Sequence, residues 1–248
     1  MPVTNRVFKP VLNAGQVYLR QAGDPAAVRY PIGNVSVLNL AIDEEVKEQK
    51  DYTSPGGGTH AEVRRINSVT TSMTLHDLNA DNIALATRGT AAEVVQGTIT
   101  DEEHTAAPGG FVRLNHPGPS SVAVTSQDGN TTYAEGSDYE ITGGGLKIVA
   151  GGAISAATVI KVNYSHKAYI KVEALTATGK PWEIFFDGLN EADDGNEMLI
   201  DLWKVNLGVA SELGIITDDL GNVTLEGKLL SDNSKGAGES KFFRTQQV

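Results

Sequence analysis

Residues 34–75 constrain the fold of this chain more than any other stretch. Two long runs of alternating character, "NVSVLNLAI" (34–42), which continues as charge into "DEEVKEQKD", and "AEVRRINSVTTSMTL" (61–75), flank "YTSPGGGTH" (52–60). A two-residue period puts neighbouring side chains on opposite faces of a strand, whereas a helix repeats near every 3.6 residues. The Pro and consecutive Gly between the runs hold neither strand nor helix unaided. We therefore expect one long β-hairpin with a mobile tip formed by Tyr52, Thr53, Ser54, Pro55, Gly56, Gly57, Gly58 and Thr59. Val35, Val37 and Asn39 are predicted to share one face of the first strand, and Val63, Arg65, Asn67, Val69, Thr71 and Met73 one face of the second. Polar residues on both faces of the second run predict that part of the hairpin projects beyond the core.

The rest of the chain repeats the β pattern in shorter pieces. Val, Ile and Thr are plentiful, and 27 Gly and 9 Pro punctuate them, as in antiparallel β proteins. "GQVYL" (15–19) is a predicted strand. Residues 110–165 suggest short strands around "DGN", "GGG" and "AGG" turns, a β-rich region embedded in a single domain spanning 1–248. "AYIKVEALTATGKPWEIFFDGLN" is predicted as a hairpin turning at Thr178 and Gly179, and "GNVTLEGKLL" as the final strand. Beyond it, residues 231–248 form a Gly- and Ser-rich flexible arm ending in a sticky patch at Phe242 and Phe243. Trp182 and Trp203 are expected in a core or interface.

"DLNADNIALATR" (77–88) has the acidic and amide oxygens of a calcium loop at its first, third and fifth positions. The sixth position is Asn82 where the sharp turn needs Gly, and the twelfth is Arg88 where a bidentate Glu closes the cage. A short helix over about 79–88 satisfies the same residues. Asn79 caps it, Asp81 meets its dipole, Ile83, Leu85 and Ala86 supply an apolar side, and Gly89 stops it.

Composition excludes several kinds of chemistry. Without Cys there are no disulfides, thiolate metal sites or Cys nucleophiles. The opening "MPVTNRVFKP" lacks the apolar core of a signal peptide, and no stretch has the length of a membrane span, so a soluble protein without a membrane partner is expected. With 31 acidic against 20 basic residues, a formal charge of −11 opposes tight phosphate contacts. The five His, at 60, 76, 104, 116 and 166, show no i, i+4 zinc spacing, and "DEE" beside His104 is expected as a solvated loop. "NEADDGNE" (190–197) is an acidic turn. "GGGLKIVAGG" lacks the spacing of a nucleotide cradle, and no nucleophile elbow or phosphate loop occurs. No catalytic residue, cofactor or metal site is expected, and the chain is predicted not to be an enzyme.

"RRINSVTTSMTLHDLNADNIALATRG" (64–89) resembles the strand-plus-helix segment of siphophage tail tube (major tail) proteins, carried by Asp77, Leu78, Asn82, Ala84, Leu85 and Ala86. "GNVSVLNLAIDEEVKEQKDY" resembles that family's first hairpin strand, "ELGIITDDLGNVTLEGKLLSD" its closing strands, and "TTYAEGSDYEI" a β-rich stretch of some members. The resemblance implies a mostly β fold, a β-sandwich or incomplete barrel with a short flanking helix and a long projecting hairpin. It implies a structural virion protein, made in the bacterial host cytoplasm, that assembles into stacked hexameric rings forming the tail tube. Its partners would be copies of itself, a tape measure protein, a tail terminator and distal tail or baseplate proteins, with genomic DNA passing through unread. The tip Tyr52–Thr59 and both termini would order on assembly, and Glu44, Glu45 and Glu48 would line an acidic lumen. A carbohydrate- or cell-binding β module of a tail tip or adhesin, using residues 110–165, is the alternative.

Overall fold

A computed structural model describes residues 9–248, so the reading of the N-terminus as an assembly-ordered arm lies outside the described residues. The chain is mostly β with a short helix, and its sheets stay open instead of closing into a barrel. It divides into two compact units where the sequence suggested a single domain. The first comprises residues 9–91 and 172–248, and the second Ala92–Lys171, so the embedded region starts well before residue 110 and runs past 165. Each unit has its own apolar cluster, and an alternating sequence does not mark where one cluster ends and the next begins.

The first unit is built on one antiparallel sheet. Its strands are β1 (Asn13–Gln21), β2 (Tyr30–Pro31), β3 (Val35–Lys50) and β4 (Thr59–Leu75) before the helix α1 (Ala80–Ala86). The chain leaves through β5 (Thr90–Val94), and re-enters to form β14 (Trp182–Asn190), β15 (Asn196–Leu207), β16 (Val223–Leu229) and β17 (Phe243–Gln247). The sheet order is β2-β1-β14-β15-β16-β4-β3, with β17 also paired to β15. Val17, Met73, Leu75, Ile184, Leu202, Val205 and Leu225 are almost fully buried in its core, each worth roughly 1.5–3 kcal/mol of apolar burial.

The second unit is a β-sandwich. One sheet has the order β6-β12-β8-β9, from β6 (Gly97–Ala106), β8 (Ser120–Ser126), β9 (Thr132–Tyr133) and β12 (Thr158–His166). The other has the order β10-β11-β7, from β7 (Phe111–Arg113), β10 (Tyr139–Thr142) and β11 (Gly145–Ile148). Val124, Ile160, Val162 and Tyr164 from the first sheet share a core with Val112, Tyr139, Leu146 and Ile148 from the second. The chain returns through β13 (Tyr169–Glu173), which pairs with β5.

Three readings of the sequence are corrected here. Residues 168–190 are not a hairpin, because β14 has both edges occupied by β1 and β15 and β13 is claimed by β5. "GNVTLEGKLL" is not the last strand, since β17 follows. The flexible arm folds back on its own chain: β17 pairs with β15 from Leu202↔Phe243 to Met198↔Gln247.

Candidate functional site

The hairpin of β3 and β4 forms with a tip between Lys50 and Thr59, and its distal part leaves the core. Every residue from Asp43 to Lys50 and from Thr59 to Asn67 is exposed. β3 is the end strand of the sheet, so its outer edge is unpaired among the described residues, and β4 is covered by β16 only between Thr70 and Leu75. The distal ribbon therefore has two free edges and extends roughly 25 Å at about 3.3 Å per residue. A lone two-stranded ribbon is marginal in water, and unpaired edges invite pairing with another chain.

Two bulges decide what its faces carry. Asp43 pairs with Ser68 but Glu44 with Ile66, so Asn67 is the extra residue and the parity of β4 reverses there. The face of Val69, Thr71 and Met73 consequently continues through Ile66, Arg64 and Glu62, and not through Asn67, Arg65 and Val63 as strict alternation predicts. A second bulge between Val35 and Val37 likewise puts Leu38 and Leu40 with Val35 against the core, leaving Val37 38% exposed. The proposed lumen residues separate accordingly. Glu44 and Glu48 share a face with Glu62, which the sequence reading missed, whereas Glu45 lies on the opposite face across from Arg65 and beside Lys47 at 3.4 Å. Arg64 bridges Glu62 at 2.5 Å and Glu44 at 3.5 Å on the acidic face.

The tip residues Tyr52, Thr53, Ser54, Pro55, Gly56, Gly57 and Gly58 close the ribbon, and Thr59 already belongs to β4. The Asp51 N–H donates to the Gly58 carbonyl at 2.7 Å, and the Asp51 carboxylate accepts from the Thr53 hydroxyl and N–H. Those two bonds hold the Asp51 carboxyl below its ordinary range. Tyr52 is 84% exposed, an aromatic ring outside the core cluster of the described residues.

The C-terminal segment is fastened to β15. Phe242 and Phe243 pack against the first unit's core. Lys235 Nζ stands 3.5 Å from the Trp203 ring centroid, and the Arg244 guanidinium lies 5.0 Å from it on its way to the buried Asp201 carboxylate at 2.8 Å. Trp203 is thus a clamp for this segment.

The helix motif acts through its amide. The Asn82 N–H donates to the capping Asn79 side chain at 2.8 Å. The buried Asn82 Nδ2 donates to the carbonyls of Ile32 at 2.9 Å and Asp77 at 2.5 Å, tying α1 to the chain around β2. Asp77 accepts the Asn34 N–H at 2.7 Å, and its carboxylate fills the space that a side chain at residue 33 would need, which fits Gly33. Ala86 is buried and Leu85 packs on the core, while Ile83 is only half-buried. Replacing Asn82 with Leu will leave two carbonyls unanswered. We expect a loss of about 2–4 kcal/mol, read by urea unfolding followed by tryptophan fluorescence.

The helix stop differs from expectation. Arg88, not Gly89, takes the left-handed position at φ 46°, with Arg88 N–H on the Leu85 carbonyl and Gly89 N–H on that of Ala84. The Arg88 side chain holds the backbone there by donating to the Leu207 carbonyl at 2.7 Å, and its buried Nε has no partner among the described residues. Arg88 borders a groove of about 1020 Å³ between α1, β1, β14 and the 176–180 loop, with Leu19, Ile32, Leu85 and Trp182 among its apolar lining. No spacing in the sequence marks this groove.

Histidines far apart in sequence meet in the second unit. His116 and His166 stack with centroids 4.0 Å apart, and the Tyr169 hydroxyl lies 3.1 Å from His116 Nδ1. "DEE" is no solvated loop but part of β6. Burial pushes the Glu102 carboxyl up, yet bonds from Tyr164, His104 and the Asn115 N–H outweigh it and hold the group below its ordinary range. Burial and Glu102 together push the Tyr164 hydroxyl up to about 12. A raised phenol contributes stability fully below its ordinary value near 10 and loses it as pH climbs through about 12. The second unit will therefore lose ~3 kcal/mol across that window, and Tyr164→Phe will delete the last phenolate step in an ultraviolet titration.

A protein-family model described as Protein of unknown function UCP028589 matches residues 10–246. A search of curated proteins gives no match.

Proposed function

We propose that this chain, which belongs to the family described as Protein of unknown function UCP028589, is a structural subunit that assembles with copies of itself into stacked hexameric rings, the tube of a phage tail. The observation that carries this reading is the β3–β4 ribbon, which leaves its core and exposes two edges that are unpaired among the described residues. Backbone groups along such edges find partners when a neighbouring copy adds its strands, and a head-to-tail ring closes them all into one larger barrel.

The ribbon's two faces differ in charge. One carries Glu44, Glu48 and Glu62 against Arg64 and Lys50, an acidic excess, and the other balances Asp43 and Glu45 with Lys47 and Arg65. We assign the acidic face to the lumen. Carboxylates there repel phosphates over a Debye length of roughly 8–10 Å, so DNA slides through without releasing counterions to bind. Tape measure, terminator and distal tail or baseplate proteins would meet the tube inside and at its ends. The setting is then the virion tail, after synthesis in the bacterial host cytoplasm. Among the described residues no helix is long and apolar enough to cross a membrane.

Negative-stain imaging of the purified chain tests the reading. Rings or tubes with a central channel are expected. A monodisperse monomer at high concentration, even with nucleating tail components added, would overturn it.

A further inference from the structure

The β15–β16 connection, residues 208–222, gives the first unit a second exposed surface besides the ribbon. It is anchored at its start, where the Ala210 N–H donates to the Ala86 carbonyl at 2.8 Å and Leu213 packs on the core. Its crest is held out from the chain: Ile215, Ile216 and Leu220 are 83%, 95% and 91% exposed. Three aliphatic side chains this bare on one loop mark a contact surface, not ordinary surface composition. Asp218 and Asp219 stand between them, and among the described residues neither carboxylate has a hydrogen bond or ion pair.

The α1 groove has the opposite character. Its wall is apolar at Leu19, Ile32, Leu85 and Trp182, its polar lining includes Lys180 and Asp81, and Arg88 brings a guanidinium whose buried Nε has no hydrogen-bond partner among the described residues. Buried donors are almost always satisfied, so an orphan on a groove of this size calls for an acceptor from outside. The backbone beside it is strained at Arg88 (φ 46°) and Leu175 (φ 60°), whose N–H is held by the Thr87 carbonyl. Such strain gathers at binding sites.

We propose that the 208–222 loop of one copy docks in the α1 groove of a second, with Ile215, Ile216 and Leu220 against the apolar wall and the Asp218–Asp219 pair facing Arg88 and Lys180. Loop and groove are different surfaces of one chain, so each contact leaves a free loop and a free groove to propagate. The contact rests on the assembly reading and adds to it a second, side-chain joint distinct from the ribbon edges.

The absence of cysteine permits a direct test. Ile216→Cys and Ala84→Cys chains, one of them mass-tagged, are mixed under assembly conditions and oxidised. The mixed disulfide dimer is expected to exceed either homodimer by about tenfold, since only unlike surfaces meet. Assemblies that form without preferential mixed cross-linking would overturn this contact and leave the ribbon reading standing. Absence of any assembly by light scattering of the wild-type chain would overturn both. As a second measurement, Ile216→Asp, at a position too exposed to affect folding, should weaken self-association about tenfold or more; unchanged association would equally count against the contact.

Discussion

Excising Glu44–Asn67 and joining Asp43 to Ser68 through an Asn-Gly turn will yield a folded chain that no longer assembles. Asp43 and Ser68 are cross-strand partners, and Asn-Gly closes a two-residue hairpin with the twist the strands need. No residue of the excised segment belongs to the first unit's buried cluster, whose nearest member along β4 is Val69. The ribbon's backbone bonds run between its own strands, apart from the tip bonds of Asp51 to Gly58 and Gly57 to Ser54 that leave with it. Core burial is thus untouched, and the thermal midpoint followed by tryptophan fluorescence should stay within a few degrees of the parent. Assembly, in contrast, should vanish from electron micrographs and from light scattering. A shortened chain that still builds tubes would remove the ribbon from the mechanism, and one that fails to fold would show that the ribbon serves its own core.

The same segment shows how far the sequence could be read. Alternation over 34–42, carried on as charge to 51, and over 61–75 revealed two long strands and a tip, and the capping logic of Asn79 and Asp81 located α1 to within a residue or two, because both signals are local. The bulges at Asn67 and near Val35 were not legible. An inserted residue leaves the alternating pattern looking intact while reversing which face meets the core, and this is why Glu62 was missed beside Glu44 and Glu48; Glu45 was grouped with them on charge alone, although adjacent strand residues face opposite ways. Pairings between distant strands failed for a related reason: β13 and β14 each look like half of a hairpin, but their edges are taken by β5, β1 and β15. The α1 groove was invisible because it depends on Arg88 adopting a backbone conformation usually left to glycine, with Leu207, far along the chain, supplying the acceptor that holds it. Within "DLNADNIALATR", two of the residues that imitate a calcium loop are structural ties, Asp77 to Asn34 and Asn79 to the helix start, and Asn82, which breaks the imitation, ties the helix to Ile32.

Within "GGG" at 143–145, substitution should have sharply unequal effects, although the sequence presents the three glycines as one turn. A side chain at residue 143 would meet nothing within 4 Å, and one at residue 144 would touch only the Phe111 ring at an ordinary 3.7 Å. At Gly145 it would stand 2.1 Å from the Val112 carbonyl oxygen and 3.0 Å from the Leu114 nitrogen, both backbone atoms, at a φ of 155° that L residues rarely adopt. Neither neighbour can turn aside. Gly145 sits opposite Arg113 where β11 meets β7, one residue before the fully buried Leu146, so relief requires β7 to separate from β11 and open the sandwich. We expect Gly145→Val to cost more than about 4 kcal/mol and to abolish the second unit's cooperative transition, while Gly143→Ala and Gly144→Ala stay within about 1 kcal/mol of the parent. Trp182 and Trp203 both belong to the first unit, so fluorescence follows that unit, and near-ultraviolet circular dichroism of the buried Tyr133, Tyr139 and Tyr164 follows the other. An unchanged tyrosine transition in Gly145→Val would mean that β7 and β11 do not pair in this register, and the sandwich would have to be redrawn.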